Sequence, residues 1–203
     1  MAPELATLPT GQIVSRETLS QITLFLKQLT RWNPTINLVS FRNQDELWER
    51  HVGDSLRLVG LMPAGVGRAI DLGSGGGFPG LVLAMATGVR FTLIEADRRK
   101  AAFLREAARC SGAPVVVCDA RIEAAAVEPA PLVTARALAP LPRLLGLAHR
   151  LVAPGGMLLL PKGAGAAAEI EAARAAWRFE VVVHGDAGRA GSVVLGVTEL
   201  APR

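Results

Sequence analysis

A short apolar segment, Ala69-Ile70-Asp71-Leu72, runs directly into Gly73-Ser74-Gly75-Gly76-Gly77 and then into a helix-like segment, Phe78–Thr87. Strand, glycine loop and helix in that order form the opening unit of a doubly wound α/β sheet. Glycines 73, 75 and 77 carry no Cβ, so the backbone turns sharply and a ligand can approach it closely. The helix that follows points unpaired N–H groups toward such a ligand. Pro79 falls near the first turn, where its missing N–H does no harm.

The remainder of the chain repeats the alternation. Phe91–Ile94, Val115–Val117, Leu132–Thr134 and Met157–Leu160 read as further strands, with helices over Arg98–Cys110, Leu141–Leu151 and Ala166–Trp177. Phe179–Val183 and Ser192–Leu200 close the chain as two strands. Upstream the pattern differs. Leu19, Ile22, Leu26 and Leu29 recur at three- and four-residue spacing, which predicts an amphipathic helix. Pro34 disfavours helix at Asn33 and predicts a break across Arg31–Thr35, with a second helix from Asp45 to Leu61. Met62–Gly67 is a connector of turn residues. Residues 1–62 are therefore expected to form a helical extension, and residues 63–203 an α/β core whose ligand lies at the carboxyl ends of the strands.

Composition narrows the class. With 50% hydrophobic and 20% charged residues the chain is not disordered. Two cysteines, Cys110 and Cys118, make no disulfide framework, and three scattered histidines make no metal set. The start Met1-Ala2-Pro3-Glu4 lacks a leader pattern, and no apolar run approaches the ~20 residues of a membrane span. A cytoplasmic protein is expected. The net charge is +4, and the surplus lies wholly between residues 61 and 150. Nineteen of the 22 cations are arginine, suited to bidentate and stacked contacts with anions. Charge alone leaves nucleic-acid binding and plain solubility equally open.

Glu95 ends the second strand 22 residues after Gly73, where a carboxylate can accept both hydroxyls of a ribose. Two cofactors suit this plan. Gly75-x-Gly77-x-x-Gly80 matches the dinucleotide fingerprint. Yet Asp71 and the offset of the glycines from the strand favour S-adenosylmethionine, because a carboxylate there repels a pyrophosphate and attracts a sulfonium or ammonium. Asp119 is a second acid near the adenine, or equally a turn cap. The loop after the fourth strand, Thr134-Ala135-Arg136-Ala137-Leu138-Ala139-Pro140, has neither the Pro-Pro-aromatic motif of exocyclic amino methylation nor a cysteine nucleophile. It offers one guanidinium, Arg136.

Five blocks then carry a specific resemblance: Arg31-Trp32-Asn33-Pro34-Thr35-Ile36-Asn37-Leu38-Val39-Ser40, Arg50-His51-Val52-Gly53-Asp54-Ser55-Leu56, the glycine loop, Thr134-Ala135-Arg136-Ala137 and Pro161-Lys162-Gly163. Over about residues 19–163 the chain resembles the bacterial small-subunit ribosomal RNA methyltransferase G family, also called glucose-inhibited division protein B. It departs from the family at Pro34, where a basic residue is common, and in the last strand, whose nearest preceding basic residue is Arg189. The resemblance implies a class I S-adenosylmethionine-dependent methyltransferase (Rossmann-like doubly wound sheet) with an N-terminal helical extension. It implies methylation of N7 of one guanine in 16S rRNA. The expected partner is 16S rRNA within the small subunit or an assembly intermediate, and a monomer without a metal is expected. The resemblance also implies that Gly73 and Phe78 border the cofactor, that Ile122 and Glu123 approach the adenine, and that Arg136 borders the transfer site.

The expected set is then Arg136 and Lys162 for catalysis, and Asp71, Gly73, Gly75, Gly77, Phe78, Glu95, Ile122, Glu123 and Arg136 for the cofactor. Lys162, Arg98, Arg99, Lys100 and His51 are the expected RNA contacts. Arg98–Lys100 read equally as a solvated helix start. His51, Asp54 and Ser55 share a helix face, which either meets RNA or, the favoured reading, braces the extension on the core. Trp32 reads as core, and Asn37 as bonding backbone in its turn. Methylation of another RNA, a small molecule or a protein remains an alternative, as does a dinucleotide-binding oxidoreductase.

Overall fold

A computed structural model describes residues 5–7, 11–185 and 191–203; the Met1–Glu4 terminus and Arg189 lie outside the described residues. A short hairpin, β1 (Leu5–Thr7) with β2 (Ile13–Ser15), leads into α1 (Arg16–Ile36). The Ser15 side chain caps α1 by accepting the Thr18 N–H at 3.0 Å. Ile22, Phe25, Leu26 and Leu29 form its buried stripe, against α4 (Gly80–Thr87) and α5 (Arg98–Ser111).

The expected break at Arg31–Thr35 is absent: α1 runs through Pro34 to Ile36. Pro34 sits in the last turn, where it removes a single intrahelical hydrogen bond. The Asn33 side chain compensates, accepting the N–H groups of Leu38 (2.8 Å) and Val39 (3.0 Å) and donating to the Val39 carbonyl (3.0 Å). Asn37 then ends the helix in the left-handed conformation, with φ of 49° and its N–H on the Asn33 carbonyl. Trp32 packs on Phe103, ring centroids 6.0 Å apart, as a core residue should.

The second helical stretch is interrupted in type. It comprises α2 (Gln44–Leu47), a π-helical segment (Trp48–Gly53), α3 (Asp54–Arg57) and a 3-10 turn (Val59–Leu61). Single-turn π-bulges recur at functional sites because they re-aim side chains by one position.

The core alternates as expected: β3 (Arg68–Leu72), α4, β4 (Arg90–Glu95), α5, β5 (Val115–Asp119), β6 (Ala130–Ala135), α6 (Leu141–Ala148), β7 (Val152–Lys162), α7 (Ala166–Arg174), β8 (Trp177–Gly185) and β9 (Val193–Pro202). The sheet order is β5-β4-β3-β6-β7-β9-β8, parallel through β7, with β9 antiparallel to both β7 and β8. One apolar core joins α1, α4 and α5 to the sheet and the other joins α6 and α7 to it. The extension is thus fused to the first face: Phe25 packs on both Phe78 and Phe103, at 5.2 and 6.4 Å. The chain reverses its winding between β3 and β6, which places the ligand crevice at the carboxyl ends of β3, β4 and β6.

Candidate active site

Parallel register brings the chemistry to one edge. Asp71 pairs with Thr134, Leu72 with Ala135, and Glu95 with Asp119. Helix α4 begins at Gly80, so Phe78 and Pro79 belong to the loop rather than to the expected helix. Gly73, Gly75 and Gly77 all have positive φ. At Gly75, φ is 51° and a Cβ would meet nothing nearer than the Gly73 carbonyl at 3.7 Å, so open space faces the backbone. Gly76 answers a different demand. A Cβ there would lie 2.8 Å from Val39 Cγ1 and 3.2 Å from the Leu38 carbonyl, because the extension rests on the loop.

Glu95 is buried, and its two oxygens accept the N–H groups of Gly75 and Asp97, both at 2.8 Å. It therefore sets the shape of the loop and stands at its mouth. Asp71 lies deeper than the sequence reading placed it. It is wholly buried beneath the loop, because period-two alternation in β3 turns its side chain toward α4. Oδ1 accepts the Thr134 hydroxyl at 2.6 Å, while Oδ2 has no hydrogen-bond partner among the described residues. A Cβ on Gly80 would lie 2.8 Å from Oδ2. Burial pushes the Asp71 pKa up to about 6, against the pull of the Thr134 and Ser74 hydroxyls. A buried, half-satisfied carboxylate beside an open glycine cradle suits a cationic ligand and opposes a pyrophosphate. The set fits S-adenosylmethionine: open space faces the Gly75 backbone, and the unpartnered Asp71 oxygen supplies a negative field beneath it.

Ile122 is buried on a 3-10 turn whose carbonyl accepts Arg150, and Glu123 beside it is exposed. Asp119 is exposed and pairs with Arg105 at 3.5 Å. Arg98 and Arg99 are exposed and Lys100 half-buried at the start of α5, where Asp97 caps the N–H groups of Arg99 and Lys100.

Arg136 is the hub of the other half of the site. Its Nη2 donates to His51 Nδ1 at 2.8 Å and its Nη1 to the Arg50 carbonyl at 3.2 Å. Its guanidinium lies 5.2 Å from the Phe78 ring centroid, a cation–π contact. The His51 ring also packs on Phe78, at 5.1 Å, and its Nε2 sits 3.2 Å from the Ser40 carbonyl. Burial, reinforced by the Arg136 charge, holds the His51 pKa down at about 4. The ring is therefore neutral near pH 7, and its neighbours assign the tautomer: a lone pair on Nδ1 for Arg136, a proton on Nε2 for Ser40. Both nitrogens of the expected RNA contact are committed inside the protein. Ala137, next in the chain, has φ of 52°, a strained setting for a residue with a Cβ.

Lys162 also has internal partners. Its ammonium donates to the Ala139 carbonyl at 2.9 Å and to Glu169 Oε2 at 2.7 Å. The same Glu169 oxygen accepts the Leu141 N–H at 2.6 Å. Burial raises the Glu169 pKa, but Lys162 and that N–H outweigh it and hold the carboxyl below its ordinary value. Loop 136–140 is gripped from the extension by His51 and from behind by Lys162 and Glu169. Its Leu138 abuts Gly73, where a Cβ would lie 2.6 Å from Leu138 Cδ1.

Beside this loop opens a cavity of about 1290 Å³, whose charged lining is Arg50, Arg57, Arg136 and Lys162 against Asp54 and Glu169, a surplus of two positive charges. Neither Gly75 nor Glu95 lines it. The edge thus carries two neighbouring sites, a glycine cradle and a basic cavity, which meet at Phe78 and Arg136. The sequence reading missed Asn33, Gly76, Thr134 and Glu169. Asn33 lay within a motif already singled out, whereas Glu169 reads only as one polar position of an alanine-rich helix.

The family described as rRNA small subunit methyltransferase G matches residues 18–190. A ribosomal RNA small subunit methyltransferase G from Rhodospirillum centenum is 48% identical over 94% of this chain and 88% of its own length. One from Acidiphilium cryptum is 50% identical over 93% of this chain and 88% of its own. Among solved structures, an O-methyltransferase from Bacillus cereus in complex with SAH superposes with a TM-score of 0.57 at 15% identity, covering 86% of this chain and 90% of that one. A 16S rRNA guanine-N2 methyltransferase from T. thermophilus, in complex with AdoMet and guanosine, gives 0.52 at 22% identity, over 71% of this chain and 38% of that one. At those identities the structures establish the fold, a class I Rossmann-like sheet, while the sequence matches establish descent: the chain belongs to the rRNA small subunit methyltransferase G family.

Proposed function

We propose that this protein transfers the methyl group of S-adenosylmethionine to N7 of a guanine in 16S rRNA. The observation that carries the reading is the junction of the two sites, where Arg136 lies across Phe78 between the glycine loop and the basic cavity. S-adenosylmethionine supplies, when bound, an electrophilic methyl group on a sulfonium. The glycine cradle at Gly73–Gly77 accepts it, Glu95 stands for its ribose, and Ile122 and Glu123 flank its adenine. Guanine N7 has a lone pair and no proton, so its methylation is an in-line displacement that needs no general base. His51 is neutral but committed on both nitrogens, and Asp71 is sealed. What the protein contributes is orientation, a term large enough to carry such a reaction. Arg136 donates to the guanine O6 or stacks on its ring, and Lys162 holds the loop that presents it.

Residues 1–62 and 63–203 act as an extension and a core sharing one apolar face. Arg98, Arg99 and Lys100 provide phosphate contacts at the rim, in keeping with the arginine-rich surplus of the middle of the chain. The enzyme acts as a cytoplasmic monomer on the small subunit or an assembly intermediate. No helix among the described residues is long and apolar enough to cross a membrane. The test is methyl transfer from labelled S-adenosylmethionine to small subunits from a strain lacking the gene, with the modified nucleotide mapped. Incorporation at a guanine N7 is expected. Absence of incorporation into any 16S guanine would sink the reading.

A further inference from the structure

We propose that His51 is a positioning residue for methyl transfer: through the lone pair on Nδ1 it holds the Arg136 guanidinium across Phe78, so the helical extension completes the active site. This rests on the reading that Arg136 meets the acceptor. Three features of the extension converge on this one guanidinium. His51 Nδ1 accepts from Nη2 at 2.8 Å, the Arg50 carbonyl accepts from Nη1 at 3.2 Å, and the imidazole packs on the same phenyl ring that the guanidinium covers.

The geometry is built by the backbone around it. Arg50 and His51 lie within the π-helical turn Trp48–Gly53, from which the Arg50 carbonyl meets the guanidinium and the imidazole packs on Phe78. The far ring nitrogen is tied to the Ser40 carbonyl, which fixes the ring's rotation. Ser55 Oγ donates to the His51 carbonyl at 2.6 Å and anchors the turn from the next one. A neutral imidazole has one donor and one acceptor, and both are used. Its remaining capacity toward RNA is nil, which separates a positioning role from a phosphate contact. The charged groups acting on it are Arg136, Arg50 and Glu46, and burial together with the two arginines disfavours a second proton. The ring therefore stays an acceptor throughout the physiological range.

An arginine with many rotamers gains from being held, because a misplacement of about 1 Å at a reacting centre costs about 10²-fold in rate. The extension is then a functional part of the site. Any shift of residues 48–53 when RNA docks is transmitted to Arg136 through two hydrogen bonds and one ring face.

The test is a double-mutant cycle between His51→Phe and Arg136→Gln, read by single-turnover methyl transfer to unmethylated small subunits. His51→Phe keeps the ring packing and removes the acceptor. It is expected to lower the single-turnover rate constant by about 30-fold, within the range for a lost orienting contact, and to leave the Kd for S-adenosylmethionine within about twofold. His51→Gln, which restores an acceptor oxygen, should recover most of the loss. In the Arg136→Gln background His51→Phe should change nothing further. Equal losses in both backgrounds, or full activity of His51→Phe, overturn the proposal. Full activity of Arg136→Gln alone instead overturns the reading of Arg136 on which it rests. Nitrogen NMR of the imidazole at pH 7 gives a readout independent of turnover. A protonated Nε2 and a hydrogen-bonded Nδ1 that changes on Arg136→Gln support the proposal, and a protonated Nδ1 overturns it.

Discussion

The two halves of the crevice are made from different materials. On the glycine side, backbone does the work: a loop with three positive-φ glycines, within a single strand–loop–helix unit, pinned to Glu95 through the Gly75 N–H. On the arginine side, side chains do it. His51 comes from the extension, Arg136 from the loop after β6, Lys162 from β7 and Glu169 from α7, and none lies within six residues of another. Local geometry makes the first half tolerant of what surrounds it and intolerant of a Cβ. The second half depends on the assembly of the whole fold and is sensitive to the exact side-chain chemistry at each end.

The largest effect that tests this contrast is at the glycine loop. Gly75→Val places a branched side chain at φ of 51° in the open space over the loop. It should abolish S-adenosylmethionine binding by calorimetry, about 10³-fold or more, while the melting temperature falls only modestly. Gly76→Val makes the opposite pattern. It forces a side chain into Val39 and the Leu38 carbonyl and should cost about 1–3 kcal/mol of stability through overpacking. If the two variants behaved alike, the loop would not divide into a ligand face and a packing face.

Arg136→Lys comes next. Lysine keeps the charge but loses the planar fork that reaches both His51 and the Arg50 carbonyl. Turnover should fall by about 10²-fold with little change in melting temperature. A lowered melting temperature with normal turnover per folded molecule would make Arg136 structural. Cofactor affinity of the same variant divides the remaining cases, since weakened binding marks a cofactor contact and unchanged binding an acceptor contact.

The same division explains what was legible in the sequence. The glycine side could be read because its elements are consecutive and its residue types are forced by sterics. The arginine side was legible only in part. Arg136 and Lys162 were found by their places after strands. Lys162's partners, however, sit 23 residues before it and seven after it, on other elements, and no local pattern announces an ion pair. His51 was found as a face of a helix, yet its target depends on a π-helical turn, and one extra residue per turn has no sequence signature here. Pro34 misled for the converse reason: the local rule at Asn33 was overridden by three side-chain hydrogen bonds that the same residue makes beyond the helix.

Glu169→Gln should produce a smaller loss. It removes the charge opposite Lys162 but keeps an oxygen for the Leu141 N–H. Loop 136–140 then loosens at one of its two grips. Turnover should drop by about tenfold, with cofactor affinity unchanged, as expected when an orienting element is relaxed rather than removed. A tenfold loss of cofactor affinity with normal turnover would instead show that this clamp serves the glycine side, through Leu138 and Gly73.

An effect of the same order, and one confined to acid pH, is a pH dependence that belongs to the glycine side. Asp71 is neutral in part below about pH 6, because burial raises its pKa from 3.8. A cation bound against the loop favours its ionised form, so binding must expel the proton wherever the free protein holds it. Affinity for S-adenosylmethionine should therefore be flat above pH 7 and weaken as pH falls, by about tenfold between pH 7 and pH 5 if the carboxyl returns to its ordinary pKa in the complex. His51, held at about 4, stays neutral across that window and adds no slope. The folded protein follows the opposite sign at Asp71. Its raised pKa contributes stability that is fully present below pH 3.8 and is lost as pH rises through about 6, so the site is least comfortable where it binds best. Calorimetry at pH 5, 6 and 7 in buffers of different ionisation enthalpy should show proton release on binding at pH 5 and almost none at pH 7. Asp71→Asn should flatten the affinity profile. A flat profile in the unmodified protein would show that the buried carboxylate is a structural partner of Thr134 alone, and the cationic ligand would owe nothing to it.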